Sequence, residues 1–244
     1  EFQGIKIAPK VSVVLPTFCS VHDISRAVDC VQAQTFTDWE LLVINDYGSD
    51  DGTAEIVQKY TWSDPRVRLI QVEERLGLAE ALNLGMRQAR GKYIARLDAD
   101  DTSKPERFAK QVQFLDTHPE VGICGTWQHH YGKNADWVHE AATDPKVQKC
   151  RLLFWCDLCH STLMLRRDLF LDNQLFYDPD AQAEDFELWT RAMDYMEIAN
   201  LPEVLGEYHE GTGITSNKVQ LLAEESGQIT ARTIRRVLGI ELPI

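Results

Sequence analysis

The segment RLGLAEALNLGMRQARGKYIARLDADD, residues 75–101, contains a helix pattern, a strand pattern and an acidic loop in direct succession. Apolar residues recur at helical spacing over residues 78–89, and residues 93–97 form a short run typical of a strand. Asp98, Asp100 and Asp101 follow at once, so their carboxylates crowd together and repel one another. The segment predicts one helix–strand unit of a larger sheet, with an acidic loop at the carboxyl end of the strand.

The same alternation precedes this segment. Strands are predicted at residues 11–15, 40–44 and 67–72, and helices at residues 22–34 and 53–60. This rhythm predicts a right-handed, mostly parallel, doubly wound α/β sheet with flanking helices. Binding sites in such sheets lie beyond the carboxyl ends of the strands. Site residues are therefore expected in four polar or acidic loops, which begin at Pro16, Asn45, Glu73 and Asp98.

The second half of the chain has a different pattern. A helix is predicted at residues 104–117, a strand at 121–127 and a polar stretch with several aromatic residues at 128–139. Further elements are predicted as a helix near 145–154, a strand at 161–165, strands near 198 and 204–208, and a long amphipathic helix at 217–237. Because no repeat or linker interrupts the chain, we expect one domain over residues 5–216, with a C-terminal helix, 217–244, packed on it or extending it.

Composition limits the classes of function. The 244 residues include 25 basic and 38 acidic side chains, which give a net charge of −13. This charge argues against nucleic acid as the main partner, and it means that an anionic substrate would need a metal ion, a helix N-terminus or a few arginines. No apolar run approaches the ~20 residues that span a bilayer, and no secretory signal opens the chain. We therefore expect a soluble, cytoplasmic protein.

The six cysteines include a single C-x-x-C pair, Cys156 and Cys159. A zinc site normally needs a second such pair or a nearby pair of histidines, and neither accompanies this one. We expect reduced, partly buried thiols of an intracellular protein.

Two interpretations of the acidic loop stay open on the residues alone. In an extended segment Asp98 and Asp100 point the same way, and two carboxylates on a loop suit Mg²⁺ or Mn²⁺. Alternatively, Asp101 or Ser103 caps the helix predicted from Lys104, and the other acids are solvated. Capping needs one acid rather than three, so both interpretations can hold together.

Other candidates have a chemical and a structural interpretation as well. Asp46 could accept a hydrogen bond from a base or sugar, or it could belong to an ordinary β-turn. Glu184 and Asp185 open a predicted helix, where a carboxylate either caps the helix or, kept ionised by the helix dipole unless burial opposes it, accepts a proton. His160 could bind substrate and His209 a metal, although lone histidines commonly make structural hydrogen bonds.

These pieces together resemble a known family. The segments VSVVLPTF, QTFTDWELLVIND, GSDDGT, residues 75–101, RFAKQVQFL, GICGTW, HSTLM and AEDFELWTR occur in the order found in family two glycosyltransferases with the GT-A fold. The resemblance runs from about Val11 to His209. It is strongest to bacterial-type enzymes that build cell-surface polysaccharides.

The resemblance implies an inverting transfer from a nucleotide-diphosphate sugar, with a UDP-hexose as the expected donor, to a hydroxyl of a glycan or lipid-linked acceptor. The residues that it assigns to the nucleotide sugar are Pro16, Thr17, Phe18, Asp46, Arg75, Asp98 and Asp100. It implies that Asp100 binds Mn²⁺ or Mg²⁺ directly and that Asp98 faces either the ribose or the metal. Asp185 would be the general base, with Glu184 beside it in the acceptor pocket, where we also place His160.

Several residues depart from the family pattern. Tyr47 is inserted in the turn after the second strand, and Phe18-Cys19 stands where the family often has Tyr-Asn. Arg75 replaces a common Asn, and residues 156–159 replace an expected Asn-Pro, so acceptor specificity does not transfer. None of these changes removes the carboxylates expected to bind the metal or the carboxylate expected to act as the general base.

Two other classes of function were weighed. A sugar-nucleotide nucleotidyltransferase would need a Gly-rich loop with Arg or Lys after the first strand, and this chain has PTFCSVHD there. A non-catalytic sugar-nucleotide or glycan-binding module would not need Asp98, Asp100 and Asp185 intact. The C-terminal helix could pair with a second subunit, pack on its own domain, or lie on the inner face of a membrane, although its mixed charge disfavours the last.

Overall fold

The computed structural model describes residues 8–132, 135–210 and 219–242, and one mixed β-sheet organises them. The strands are β1 (Val11–Thr17), β2 (Trp39–Asn45), β3 (Val67–Gln71), β4 (Tyr93–Arg96), β5 (Thr102–Ser103), β6 (Val121–Gly132), β7 (Ala135–His139), β8 (Met164–Arg166) and β9 (Glu197–His209). The helices are α1 (Ile24–Gln32), α2 (Thr53–Ser63), α3 (Gly77–Gln88), α4 (Arg107–Thr117), α5 (Pro145–Arg151), α6 (Arg167–Asp172), α7 (Glu184–Ala192) and α8 (Val219–Leu238).

The N-terminal half of the sheet is parallel, in the order β3-β2-β1-β4. β1, β2 and β4 are buried on both faces because helices cover both, whereas β3 at the sheet edge is only partly buried. Val14 and Leu42 pack in a core that includes Leu82 of α3, whereas Val13 packs on the opposite face with Val28 of α1. Two-sided burial explains why these strands appear in the sequence as continuous apolar runs. The doubly wound α/β prediction is confirmed.

The second half of the sheet is built from antiparallel β8 beside β4, followed by β6, β9 and β5. Two sequence predictions are wrong here. The strand predicted at 121–127 continues to Gly132, and the polar stretch after it contains β7, which pairs with the end of β6. The two short strands predicted near 198 and 204–208 are one strand, β9, whose pairing with β6 shifts register in places. β7 pairs with the neighbouring end of β6, whereas β9 pairs with β6 from a distant part of the chain, and local hydrophobic alternation reveals neither pairing.

The predicted cap of α4 is also wrong. This helix begins at Arg107 rather than Lys104, because Thr102 and Ser103 form β5 and pair with β9. Glu106 occupies the N-cap position and makes no side-chain capping bond. Asp101 is fully buried instead of capping the helix, and Ser103 accepts a hydrogen bond from the guanidinium of Arg107.

Helix α8 packs on the domain. Ile229 and Ile234 are buried in the core that contains Trp189 of α7, and Arg236 donates to the carbonyl oxygen of Thr190 at 2.6 Å. The predicted boundary at 216/217 lies outside the described residues. In the described part of the chain, no helix is long and apolar enough to cross a bilayer.

Candidate active site

The loops after β1 and β2 are tied together at the carboxyl edge of the sheet. The backbone N–H of Cys19 donates to Ser49 Oγ at 2.9 Å, and that of Ser20 donates to Thr53 Oγ1 at 2.9 Å. Cys19 holds a left-handed conformation, with φ 51°, which Asn adopts more readily than most residues. The Asn that the family often has here would therefore suit this backbone. Both loops are thus fixed before any ligand arrives.

Phe18, Asp46 and Arg75, predicted separately, lie together. The carboxylate of Asp46 is 5% exposed and accepts hydrogen bonds from the backbone N–H groups of Tyr47, Leu76 and Gly77 at 2.8–3.0 Å. Arg75 Nε pairs with it at 3.0 Å, and the Arg75 guanidinium lies 3.7 Å from the centre of the Phe18 ring. We use the name Asp46 cluster for the six residues in these contacts: Phe18, Asp46, Tyr47, Arg75, Leu76 and Gly77. The carboxylate anchors the first turn of α3, in addition to any role toward a ligand.

Pro16 and Thr17 lie in the last part of β1, beside Ile44 and Asn45 of β2. Thr17 Oγ1 and Asn45 Oδ1 are buried and have no hydrogen-bond partner among the described residues. Buried polar atoms of this kind normally find a partner, so the end of β1 offers hydrogen-bonding capacity next to the Asp46 cluster.

The second group of acids lies beyond β4. Asp98 and Asp100 are partly exposed, whereas Asp101 is fully buried, and Asp98 Oδ1 accepts a hydrogen bond from Arg96 Nη2 at 2.6 Å. Glu184 and Asp185, at the start of α7, are close enough for the charge of Asp98 to act on both. We call Asp98, Asp100, Asp101, Glu184 and Asp185 the acidic cluster.

Burial and mutual repulsion shift the pKa values in the acidic cluster. Burial, and then the charge of Asp98, raise the pKa of Asp101 to about 8, and Ser161 and the His209 backbone only partly oppose this. Burial, and then the charge of Asp185, raise the pKa of Glu184 to about 7. The cluster therefore holds more negative charge than its protein surroundings balance.

Asp185, the predicted general base, lies in the first turn of α7. Its Oδ1 accepts the backbone N–H of Phe186 at 2.6 Å, and the Sγ of Cys156 lies 3.9 Å from Oδ2. Burial raises its pKa, while the Phe186 N–H and the charge of Arg96 lower it. Burial thus outweighs the helix N-terminus. A carboxylate with a raised pKa binds a proton more strongly, as a general base requires.

The two candidate histidines lie on different sides of the acidic cluster. His160 is hydrogen-bonded through Nε2 to the hydroxyl of Tyr177 at 2.8 Å, and burial holds its pKa well below the usual value. It therefore acts as a neutral side chain beside α7. His209 ends β9, with its ring stacked on Tyr131 at 5.1 Å between centroids and its backbone next to Asp101.

The chemistry of the donor set fits a hard divalent cation. Asp98 and Asp100 offer carboxylate oxygens, and the crowded charge of the cluster favours a positive ion there. Among the described residues, no three His, Cys, Asp or Glu side chains are grouped as a metal site. Mg²⁺ and Mn²⁺ commonly complete such a shell with substrate phosphates and water. The six cysteines are free thiols.

Sequence reasoning missed Arg96. Its side chain is only 3% exposed, yet it lies between the acidic loop and α7 and carries a positive charge there. The signal in the sequence was an arginine inside the strand run YIARL, which otherwise predicts apolar burial.

Comparison with known proteins identifies the family. Residues 12–173 match the family model described as Glycosyl transferase family 2. The chain belongs to this family. Among curated relatives, the Escherichia coli protein "UDP-Glc:alpha-D-GlcNAc-diphosphoundecaprenol beta-1,3-glucosyltransferase WfgD" is 28% identical over 218 residues, which cover 88% of this chain and 83% of that protein.

Solved structures show the same fold. Staphylococcus aureus TarS 1–349 in complex with UDP-GlcNAc aligns with a TM-score of 0.72 at 22% identity, covering 95% of this chain and 73% of the TarS 1–349 chain. The mannosyltransferase PcManGT from Pyrobaculum calidifontis, in complex with GDP-Man and Mn²⁺, aligns with a TM-score of 0.71 at 22% identity, covering 94% and 65%. The predicted GT-A fold of this family-two glycosyltransferase is confirmed.

Proposed function

We propose that this family-two enzyme is an inverting, metal-dependent glycosyltransferase that moves a hexose from a UDP-sugar to a hydroxyl of a glycan or lipid-linked acceptor. The observation that carries the proposal is the acidic cluster, in which the charge of Asp98 acts on both Glu184 and Asp185. The ligands of TarS (UDP-GlcNAc) and of PcManGT (GDP-Man and Mn²⁺) support a nucleotide-sugar donor and a divalent cation.

The Asp46 cluster would bind the base, with Pro16 and Thr17 at its border. A carboxylate offers about four lone-pair sites, and Tyr47, Leu76, Gly77 and Arg75 direct N–H groups at those of Asp46. The Arg75 guanidinium covers Phe18 and pairs with Asp46, which is how a flat base would be held. We expect the base to displace this half-exposed side chain, which then turns to the phosphates.

The diphosphate would lie over the acidic loop. Asp100, assisted by Asp98, would hold Mn²⁺ or Mg²⁺, with His209 as a candidate further ligand. When bound, the cation stabilises negative charge on the leaving diphosphate. Asp101 is fully buried, and its pKa of about 8 keeps it largely protonated near neutral pH, so we do not place it among the ligands.

Asp185 would act as the general base. The acceptor oxygen attacks the anomeric carbon from the face opposite the diphosphate, so the new C–O bond forms as the bond to the leaving group breaks. The acceptor proton passes to Asp185, and the configuration at the anomeric carbon inverts. General-base assistance of this kind contributes typically ~10²–10⁴-fold in rate.

Glu184 and His160 would line the acceptor side. The name of the E. coli relative WfgD specifies a diphosphoundecaprenol-linked substrate, which favours a lipid-linked acceptor here too. An acceptor of that kind would bring the protein to the inner face of a membrane. No described residue selects one acceptor linkage over another.

The proposal is tested first by a melting-point screen of UDP-glucose, UDP-GlcNAc, GDP-mannose and dTDP-glucose, each with and without Mn²⁺. Binding to the native state raises the melting temperature, so the correct donor should do so and should need the cation. NMR of the product then gives its anomeric configuration. Absence of any shift in the wild-type protein, or a product with retained configuration, would overturn the proposed function.

A further inference from the structure

Arg96 is a buried arginine whose hydrogen bonds are incomplete. Its Nη2 donates to Asp98 Oδ1 at 2.6 Å. Its Nε and Nη1 are buried and have no hydrogen-bond partner among the described residues. Burial of an N–H donor without an acceptor is costly, and for a charged group more so. These two donors therefore point to an acceptor that the folded chain does not itself supply.

Arg107, a second buried arginine, shows how this fold satisfies a structural guanidinium. Its Nε donates to Gln111 at 3.0 Å and its Nη1 to Ser103 at 2.8 Å. Its Nη2 donates to the carbonyl oxygens of Arg96 and Leu163 at 2.8 and 3.1 Å. All three nitrogens of Arg107 are paired. Arg96, at the end of β4, is also buried, but two of its three side-chain nitrogens have no acceptor among the described residues.

The surroundings of Arg96 indicate what the acceptor is. Four carboxyl groups interact electrostatically with its guanidinium: Asp98, Asp101, Glu184 and Asp185. The ionised carboxylates among them oppose the positive charges of Arg96 and the nearby Arg107, and a diphosphate brought next to Arg96 would meet their repulsion. Neutral hydroxyl oxygens can accept from the open N–H groups without that repulsion.

We propose that Arg96 binds the transferred sugar of the nucleotide-sugar donor, with its Nε–H and Nη1–H donating to sugar hydroxyls while its Nη2–H holds Asp98. This inference rests on the proposed function and adds to it a residue that recognises the hydroxyl groups of the sugar. Arg96 is thereby a specificity residue for the hexose. A site that hydrogen-bonds a hydroxyl rejects analogues that lack it far more strongly than an apolar pocket rejects an added group.

The test measures the dissociation constants of two probes by calorimetry in the presence of Mn²⁺. The probes are the nucleoside diphosphate and its sugar conjugate selected by the melting-point screen, for example UDP and UDP-glucose. In Arg96→Lys the affinity for UDP should change by less than about threefold, because the base and diphosphate contacts remain. The affinity for UDP-glucose should fall by roughly 10- to 100-fold, the range of hydrogen bonds to a charged group.

Arg166→Lys is the matched control. Arg166 lies beside Tyr93, at the opposite end of β4, and donates to the backbone carbonyl oxygens of Leu115, His118 and Val121. This variant should keep the wild-type ratio of the two dissociation constants even if its melting temperature falls. An Arg96→Lys protein that also keeps the wild-type ratio, or that loses both affinities in parallel, overturns the proposal.

A panel of deoxy-sugar donors keeps the proposal testable if Arg96→Lys does not fold. The wild-type protein should lose roughly tenfold or more in affinity for at least one deoxy donor, and a loss below about threefold for every position overturns the proposal. In a folded Arg96→Lys, the same deoxy donor should bring no further loss. If neither UDP nor any nucleotide sugar binds the wild-type protein, it is the proposed function that fails.

Discussion

The Asp46 cluster and the acidic cluster lie at the same edge of one sheet, yet their carboxylates have opposite environments. Asp46 is nearly buried and receives three backbone N–H groups and the Arg75 guanidinium. Asp101 is more deeply buried, and Ser161 and the His209 backbone offset the cost of that burial only in part. One carboxylate is fully compensated by its own fold and the other is not.

The two clusters differ in how far the protein neutralises their carboxylates, and this difference suits them to different ligands. A compensated carboxylate fixes the backbone around it, so the Asp46 cluster is suited to orient a neutral, flat group. An undercompensated cluster stores repulsion that an incoming positive ion relieves, which makes its ligand affinity and the stability of the protein depend on each other. Substitutions should therefore affect stability in the first cluster and ligand-dependent properties in the second.

The largest effect is expected at Asp185. Asp185→Asn should lower the transfer rate by ~10²–10⁴-fold, because the amide cannot take the acceptor proton, while Mn²⁺-dependent donor binding persists. Glu187→Gln on the same helix, which loses only an ion pair with Arg191, should keep nearly full activity. The measurement is turnover with the donor chosen by the screen, and full activity of Asp185→Asn would refute the base assignment.

The next prediction concerns pH. The pKa of Asp101 is raised to about 8 in the folded state, from an ordinary value near 4, so folding favours its protonated form. Its contribution to stability is complete below about pH 4 and is lost as pH rises toward 8, by an amount on the order of a few kcal/mol.

Asp101→Asn should remove this loss and make the metal-free protein more stable than the wild type at pH 8. Urea unfolding at pH 5 and pH 8, without divalent cations, measures the difference. An unchanged pH dependence in Asp101→Asn would show that another group causes it.

Asp100→Ala should weaken binding of the nucleoside diphosphate roughly 10- to 100-fold in the presence of Mn²⁺ and little in its absence, because a direct carboxylate ligand is lost. Calorimetry with UDP measures it. Asp168→Asn, an exposed acid with a side chain 73% exposed, is the control. Equal affinities with and without Mn²⁺ in the wild type and in Asp100→Ala would contradict the metal role.

Asp46→Asn tests the compensated cluster. The amide cannot accept all the N–H groups that converge on the carboxylate, so unfolding should need about 1–3 kcal/mol less free energy. Because no cation is involved, Mn²⁺ should not change this loss. Urea unfolding with and without Mn²⁺ measures this loss of stability. If Mn²⁺ restored the stability of Asp46→Asn, Asp46 would depend on the cation as the acidic cluster does.

The smallest effect is expected at Cys19, beside the Asp46 cluster. Cys19→Asn should raise the unfolding free energy by up to about 1 kcal/mol, because Asn tolerates a φ of 51° better than Cys. A change in melting temperature reports this gain in stability. The control is Cys150→Asn, which changes an exposed cysteine in α5. A lower melting temperature only in Cys19→Asn would mean that the thiol contributes more than the backbone conformation.

Much of the parallel half of the fold could be predicted from local signals. Continuous apolar runs, helical spacing and turn residues gave β1 to β4 and α1 to α3 with small differences in their bounds. The acids after β4 and at the start of α7 were found because carboxylates at strand and helix ends stand out in a sequence. By contrast, β7 and the continuity of β9 were missed, since their half-exposed polar residues form strands only through pairing with β6.

The sequence by itself determined the alternation of strands and helices and the order of the acids along the chain, because periodicity and turn chemistry act over a few residues. Only the tertiary structure decided that Asp101 is buried rather than capping a helix, that Arg75 covers Phe18, and that Arg96 keeps two open donors beside α7. Burial and partner choice depend on segments far apart in the chain, and their energies are set only when those segments pack together.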